Sequence, residues 1–213
     1  MTDRYQASGT VEGQYQPGSN ERVLRNKLGI TDPAEMDDIE LDLLEQLYDV
    51  VLGEVENDQV ITVEEIFEWH RKWLGNVYEW AGNQRSVNLA KDDFHFASAR
   101  QIPYCLKELD EKFLSKYTPC FEMDDESLIE AIAVVHVELI IVHPFREGNG
   151  RISRLLANVM ALQANKPELD YSSWDLDRDK YFSAIQAGMD CNYESMKQLV
   201  RQALRDAEQT AFE

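Results

Sequence analysis

IVHPFREGNGRISRLLANVM, running from Ile141 to Met160, joins two apolar segments through a short polar loop. Upstream, LIEAIAVVHVELIIVH, from Leu128 to His143, is apolar on nearly every face, the pattern of a helix at the centre of a bundle. Downstream, Ile152, Leu155, Leu156, Val159 and Met160 share one helical face, while Arg151, Arg154 and Asn158 form a separate polar stripe at i, i+3 and i+7. Two buried helices with a charged loop between them make the fold helical and make the loop its candidate site.

The charges of the loop make sense together. Two arginines in the first helical turn oppose the helix dipole, and a bound anion would resolve that conflict. Gly148 and Gly150 permit a nest of backbone N–H groups at a helix start, where phosphate binds readily. Asn149 adds an amide donor, and the guanidinium forks of Arg151 and Arg154 match phosphate oxygens. Glu147 would repel a bare phosphate but suits a magnesium ion lying between the two. His143 is the group whose ordinary pKa suits a general base near neutrality. Singly these residues read as a cap, a turn and ion pairs. Within one run of twelve positions they describe nucleotide transfer onto a hydroxyl.

Working outward, TDPAEMDDIELDLLEQLYDVV offers Thr31 or Asp32 as N-cap and Pro33 at the first helical position. Ile39, Leu43, Leu44, Leu47, Val50 and Val51 follow at helical spacing. Thr62 with Glu65 forms a capping box for a helix carrying Ile66, His70 and Trp73 on one face. The period then changes to two: Val87 and Leu89 alternate, as do Phe94 and Phe96 beyond a Lys91-Asp92-Asp93 turn, predicting a short β-hairpin over 84–96. Further helices are expected over about 98–117, 125–142, 150–164, 176–187 and 192–208, the last with Met196, Leu199, Val200, Ala203 and Leu204 on one stripe. The fold class is all-α with one hairpin. An irregular arm (1–30) precedes a single domain (31–208) and a short tail (209–213).

The net charge of −19 repels phosphate backbones, which argues against nucleic acid as a general partner. Cys105, Cys120 and Cys191 show neither a disulfide framework nor a zinc motif. The N-terminal stretch does not read as a signal peptide, and the apolar run is too short and too charged to span a bilayer. A cytoplasmic location with no membrane partner is expected.

HPFREGNGRISR, His143 to Arg154, resembles without a gap the signature of the Fic (Fic/Doc) family: His, any residue, Phe, any, Asp or Glu, Gly, Asn, Gly, Arg, two of any, Arg. LGNVYEWAGNQRSVNL resembles the segment leading into the Fic flap hairpin, and LRNKLGI the start of bacterial Fic domains, so the likeness covers about residues 20–205. It implies a Fic-like helical bundle with a hairpin flap, and protein AMPylation: transfer of AMP from Mg-ATP to a Ser, Thr or Tyr hydroxyl with release of pyrophosphate. Carried over by position, His143 is the base, Phe145 anchors the loop and Glu147 holds Mg²⁺. Gly148, Asn149 and Gly150 surround the α-phosphate, Arg151 meets the β-phosphate and Arg154 the γ-phosphate. Doc relatives, which are kinases, carry Lys where this chain has Gly150, which favours nucleotidyl over phosphoryl transfer.

The resemblance also implies that the flap docks a target protein by β-augmentation, with Lys91 and His95 as candidate contacts to target or nucleotide. Fic enzymes are commonly restrained by a helix whose glutamate pairs with the second motif arginine, here Arg154. SGTVEG, Ser8 to Gly13, matches that pattern but lies in an arm not read as helical. A separate small antitoxin carrying the inhibitory helix is the favoured source, with this chain as the toxin of the pair. Two alternatives stay open: a phosphodiesterase that removes AMP, and a non-catalytic, nucleotide-dependent protein-binding module.

Overall fold

The computed structural model describes residues 10–91 and 94–210. Ser8, the Asp92-Asp93 turn and residues 211–213 lie outside this range. Among the described residues the chain is a helical bundle with one two-stranded hairpin.

Helix α1 (Pro33–Glu54) starts where the sequence indicates: Asp32 caps it by accepting from the Ala34 N–H at 3.0 Å, and Pro33 opens the first turn. Its inward stripe differs from the expected one. Met36, Glu40, Leu47 and Val51 are buried, whereas Val50 is exposed. The stripe is rotated because a carboxylate, Glu40, faces inward to meet polar groups of other elements. Helix α2 (Val63–Leu74) opens with the expected capping box. Thr62 Oγ1 accepts from the Glu65 N–H at 3.3 Å, and Glu65 Oε2 accepts from the Thr62 N–H at 2.8 Å. It buries Ile66, Trp69, His70, Trp73 and Leu74.

The hairpin is shorter than its alternation suggested. Among the described residues, strand β1 (Ala90–Lys91) pairs antiparallel with β2 (Phe94–His95), and one further bond, from the Phe96 N–H to Leu89 O at 3.2 Å, follows the ladder. Val87, Leu89 and Phe96 are buried in the core. Their alternation reflects anchoring of an irregular segment rather than a longer sheet.

The next helical run begins at Ile102, four residues later than expected, and continues through α3 (Ile102–Glu108), a π-helical stretch (Leu109–Leu114) and α4 (Ser115–Tyr117). The central helix α5 (Asp125–Val142) packs against α6 (Asn149–Gln163) and α9 (Glu194–Thr210). Both faces of α5 are buried, as the unbroken apolar run required. The helix expected at 176–187 is α8 (Arg178–Gly188), and a short helix the sequence did not announce, α7 (Ser172–Leu176), precedes it. They break at Asp177, whose side chain accepts from the Lys180 N–H at 3.0 Å and so caps α8. Burying Trp174, whose indole N–H donates to Leu199 O at 3.2 Å, holds α7 on the bundle. All five expected residues of the α9 stripe are buried.

Residues 10–30 are irregular apart from a single 3₁₀ turn at Val11–Gly13 and an isolated bridge between Tyr15 and Leu24. They are seated on the end of α2, with Lys27 N–H donating to Val77 O and Lys27 Nζ to Gly75 O, both at 2.8 Å. No helix among the described residues is long and apolar enough to cross a membrane.

Candidate active site

The loop joining α5 to α6 is built from its first residue. His143 ends α5 in the left-handed conformation (φ 49°, ψ 58°), which turns the chain sharply out of the helix. Arg85, fully buried, holds that turn: its Nε–H donates to His143 O at 2.7 Å, and its other N–H groups reach Val87 O and Ala97 O at the flap base. The His143 ring stacks on Phe96 at 3.7 Å and places Nδ1 3.2 Å from Ile140 O. A carbonyl only accepts, so Nδ1 carries the proton and Nε2 keeps its lone pair. Burial pushes the imidazole pKa down to about 3, with Arg85 and Lys91 adding to the effect. His143 is therefore neutral, with its proton on Nδ1.

Beneath the loop, Phe145 is fully buried and stacks on His70 at 3.9 Å, the two rings nearly parallel. His70 Nδ1 accepts from the Gly82 N–H at 2.8 Å, so Nε2–H donates to Glu147 O at 3.1 Å. Gly148 has φ +84°, and a Cβ there would lie 2.5 Å from Trp73 Cζ3. Glycine meets both demands at once. Asn149 departs from the sequence reading. Its Oδ1 accepts from the Phe145 N–H at 2.9 Å and its Nδ2 donates to Phe145 O at 2.8 Å. The amide expected to reach a bound anion instead clamps the loop, because the tight turn would otherwise leave the Phe145 peptide groups buried without partners.

Helix α6 starts at that clamp with no side-chain cap, and its first turn contains no acid. The N–H groups of Asn149, Gly150 and Arg151 precede the first intrahelical bond, Ile152 N–H to Gly148 O at 3.0 Å. Gly150 borders open space, with no atom within 4 Å of where a Cβ would sit. The two arginines of this helix are met by carboxylates of other helices. Arg151 Nη1 donates to Glu40 Oε2 at 2.8 Å and its guanidinium lies 4.5 Å from the Trp73 ring. Arg154 forms a two-point fork with Asp175, at 3.1 and 2.7 Å. The conflict with the helix dipole is thus met internally, where the sequence alone suggested a bound anion.

A cleft of about 250 Å³ opens over this surface, lined by His143, Glu147, Gly150, Arg151, Arg154 and Lys91 among others. A second cleft of about 560 Å³ lies between the arm and α1 and shares Glu147, Arg151 and Arg154 with the first. Glu147 Oε1 pairs with the buried Arg146 at 3.0 Å. Among the described residues no group of three or more His, Cys, Asp or Glu is placed to hold a metal. The donor set fits a magnesium ion that arrives with phosphate oxygens and needs only one or two carboxylates, here Glu147, and does not fit a resident all-protein site.

The hairpin places its two candidates differently. Lys91 lines the first cleft and sets Nζ 3.1 Å from the Phe182 ring centre, whereas His95 is exposed on the outer side. Glu12 does not lie where the inhibitory pattern would put it. Its carboxylate accepts from the Ser86 N–H at 3.0 Å and its backbone O from Arg146 Nε–H at 3.0 Å, while Arg154 is taken by Asp175. Sequence reasoning missed Arg85, Glu40 and Asp175, whose partners are remote in the chain. The run WAGNQR, flanking a hairpin, marked the place of Arg85 but not its role.

Three histidines share a neutral, buried state. Burial pushes His70 down to about 4 and both His136 and His143 to about 3, against an ordinary 6.5. The unfolded chain therefore binds more protons between these values and 6.5, so this stabilisation is complete above pH 6.5 and is lost as pH falls towards 3–4. Each histidine contributes a slope approaching about 1.4 kcal/mol per pH unit. Urea unfolding at pH 7 and pH 5 should give a clearly lower midpoint at pH 5; equal midpoints would refute the buried neutral state.

The chain matches the Fic/DOC family profile over residues 60–161, from the approach to α2 through most of α6. It is similar to the protein adenylyltransferase VbhT of Bartonella schoenbuchensis, 28% identical over 185 residues, covering 86% of this chain and 37% of VbhT. The protein adenylyltransferase Fic of Nematostella vectensis is 27% identical over 208 residues, covering 95% of this chain and 46% of that protein. The chain thus spans less than half the length of these two relatives. The probable protein adenylyltransferase y4lH of Sinorhizobium fredii is 26% identical over 77% of this chain and 78% of its own. In structure, the chain matches the N-terminal Fic domain of a Bartonella effector protein from Bartonella sp. AR 15-3 with a TM-score of 0.72 at 22% identity, covering 95% and 93% of the two chains. BepC of Bartonella tribocorum, solved with bound AMPPNP, matches with a TM-score of 0.67 at 23% identity over 84% and 91%.

Proposed function

We propose that this chain is a protein adenylyltransferase, moving AMP from ATP to a Ser, Thr or Tyr hydroxyl of a target protein. The observation that carries the reading is His143: its Nδ1–H is pinned to Ile140 O, and the ring lines the same cleft as the α6 N-terminus and two arginines. The names of the relatives and the AMPPNP held by BepC support it. In the step, Nε2 of His143 accepts the hydroxyl proton and the hydroxyl oxygen attacks the α-phosphorus. The bond from that phosphorus to the bridging oxygen breaks, and pyrophosphate leaves. The N–H groups at the start of α6 stabilise charge on the α-phosphate, and Arg151 and Arg154 hold the outer phosphates. Magnesium, held by Glu147, would neutralise charge on the leaving pyrophosphate.

The finer assignments belong to the same proposal. The target docks on the flap, where Glu12 now occupies the Ser86 N–H, so a target strand pairing there displaces the arm. The larger cleft, with Met36 and Leu44 beside the arginines, suits the inhibitory helix of a small antitoxin. The protein then acts as the toxin of that pair, on Mg-ATP, in the cytoplasm.

Incubation with ATP labelled at the α-phosphate should label protein, and chelation of magnesium should stop it. Label from the γ-phosphate with none from the α-phosphate would overturn the reading, as would release of AMP from a prepared adduct without forward labelling. The pH profile is a further test. Because His143 stays unprotonated down to about pH 3, kcat/KM for the magnesium complex of ATP should not fall between pH 8 and pH 6 on its account. An acid limb near 6.5 that vanishes in His143→Ala residual activity would contradict the buried neutral base.

A further inference from the structure

The two arginines of the site are neutralised in different ways. Glu40, the partner of Arg151, is buried on α1, takes a second hydrogen bond from Tyr78 Oη–H at 2.7 Å, and anchors Trp73 through its backbone oxygen. It is part of the core and cannot withdraw. Asp175, the partner of Arg154, sits on the five-residue α7 with its side chain 51% exposed, next to Leu176, which is 88% exposed. Its two oxygens take one N–H from each terminal nitrogen of Arg154, the same end-on fork that a phosphate would use. Arg154 itself is held in place from the other side, its guanidinium 4.8 Å from the Tyr171 ring. One arginine is locked, and the other is covered by a carboxylate free to swing into solvent.

We propose that Asp175 is an internal competitor for the terminal phosphate of a nucleoside triphosphate, holding the Arg154 fork closed until that phosphate displaces it. The inference rests on reading Arg154 as the terminal-phosphate ligand. It places within the chain, on α7, the competing carboxylate that the SGTVEG pattern had assigned to Glu12. A triphosphate engages Arg154 only after breaking an exposed ion pair, which lowers its affinity modestly. A diphosphate does not reach the fork and is indifferent to Asp175.

The test measures binding by calorimetry, with AMPPNP and ADP in the presence of magnesium. Asp175→Asn keeps the size of the side chain but removes its charge and one acceptor, and Asp175→Ser removes the reach altogether. Both should bind AMPPNP about fivefold more tightly with ADP affinity unchanged, and the gain should disappear when Arg154→Ala is added. Asp179→Asn, on the neighbouring exposed surface of α8, should change neither ligand. Equal tightening of AMPPNP and ADP would reduce the effect to general charge and overturn the inference. Weaker AMPPNP binding would mean that Asp175 orients Arg154 for phosphate, which also overturns it. Failure here is separable from failure of the proposed function. Protein labelling with an unchanged AMPPNP-to-ADP ratio removes the competitor and keeps the enzyme; the expected ratio without AMP transfer by any variant does the reverse.

Discussion

His143→Ala should lower AMP transfer by roughly 10²–10⁴-fold, the loss typical of removing a general base, while ATP affinity changes little. The ring lines the cleft at the end of α5, and the groups proposed to face phosphate belong to α6 and its N-terminal loop. Alanine removes the proton acceptor without touching them. The backbone at position 143 is left-handed and held by Arg85 through its carbonyl, which alanine retains. Some stability will be lost, since the imidazole stacks on Phe96 and leaves a gap when removed. Initial rates of labelled transfer, measured on protein whose helical circular dichroism matches the native chain, decide the matter. A rate within threefold of the native protein would sink the assignment of the base.

Gly148→Ala should produce the largest loss of stability of any single methyl added to the loop. The residue is left-handed at φ +84°, which costs an alanine about 1–2 kcal/mol. The added Cβ would also stand 2.5 Å from Trp73 Cζ3 and 3.1 Å from Cη2. Trp73 is fully buried, donates its indole N–H to Glu40 O at 2.8 Å, and supports Arg151 on its face, so it cannot yield cheaply. Overpacking adds about 1–3 kcal/mol, and the sum corresponds to a fall in Tm of roughly 10 °C for a chain of this size. Gly150→Ala is the internal comparison, because its Cβ would meet no atom within 4 Å. It should leave Tm nearly unchanged while weakening nucleotide binding, since its methyl would enter the cleft. Equal melting points for the Gly148 variant and the native protein would show that the loop is looser than its contacts imply.

The cleft that His143 lines holds more basic than acidic side chains, although the protein as a whole is acidic. A net charge of −19 says little about the ground around α6, where Lys91, Arg151, Arg154 and Arg178 outnumber Glu147 and Asp175 along the smaller cleft. The local field, which acts on a nucleotide, comes from residues that the fold collects.

Features carried by near neighbours in the chain were legible from sequence. The capping box at Thr62 and Glu65, the Asp32-Pro33 helix start, the buried run of α5 and the stripe of α9 all depend on contacts within a few residues. Helix α7 was missed because it is short, and burial of Trp174 against α9 stabilises it more than any local pattern does. The hairpin was overextended because alternating burial looks the same in a strand and in a segment pinned irregularly to a core.

The sequence by itself determined the helical class, the order of the main helices and a loop in which base, carboxylate, glycines and arginines stand within twelve positions. Those are properties of residues close enough along the chain for spacing to imply geometry. Tertiary structure alone decided which partners complete the loop: Arg85 on the carbonyl of His143, Glu40 on Arg151, Asp175 on Arg154, and Glu12 on Ser86. With 40 acidic and 21 basic residues in the chain, spacing cannot choose which acid meets which base. Packing of the apolar faces brings particular helices together, and the ionic contacts form between whatever charges that packing leaves within reach.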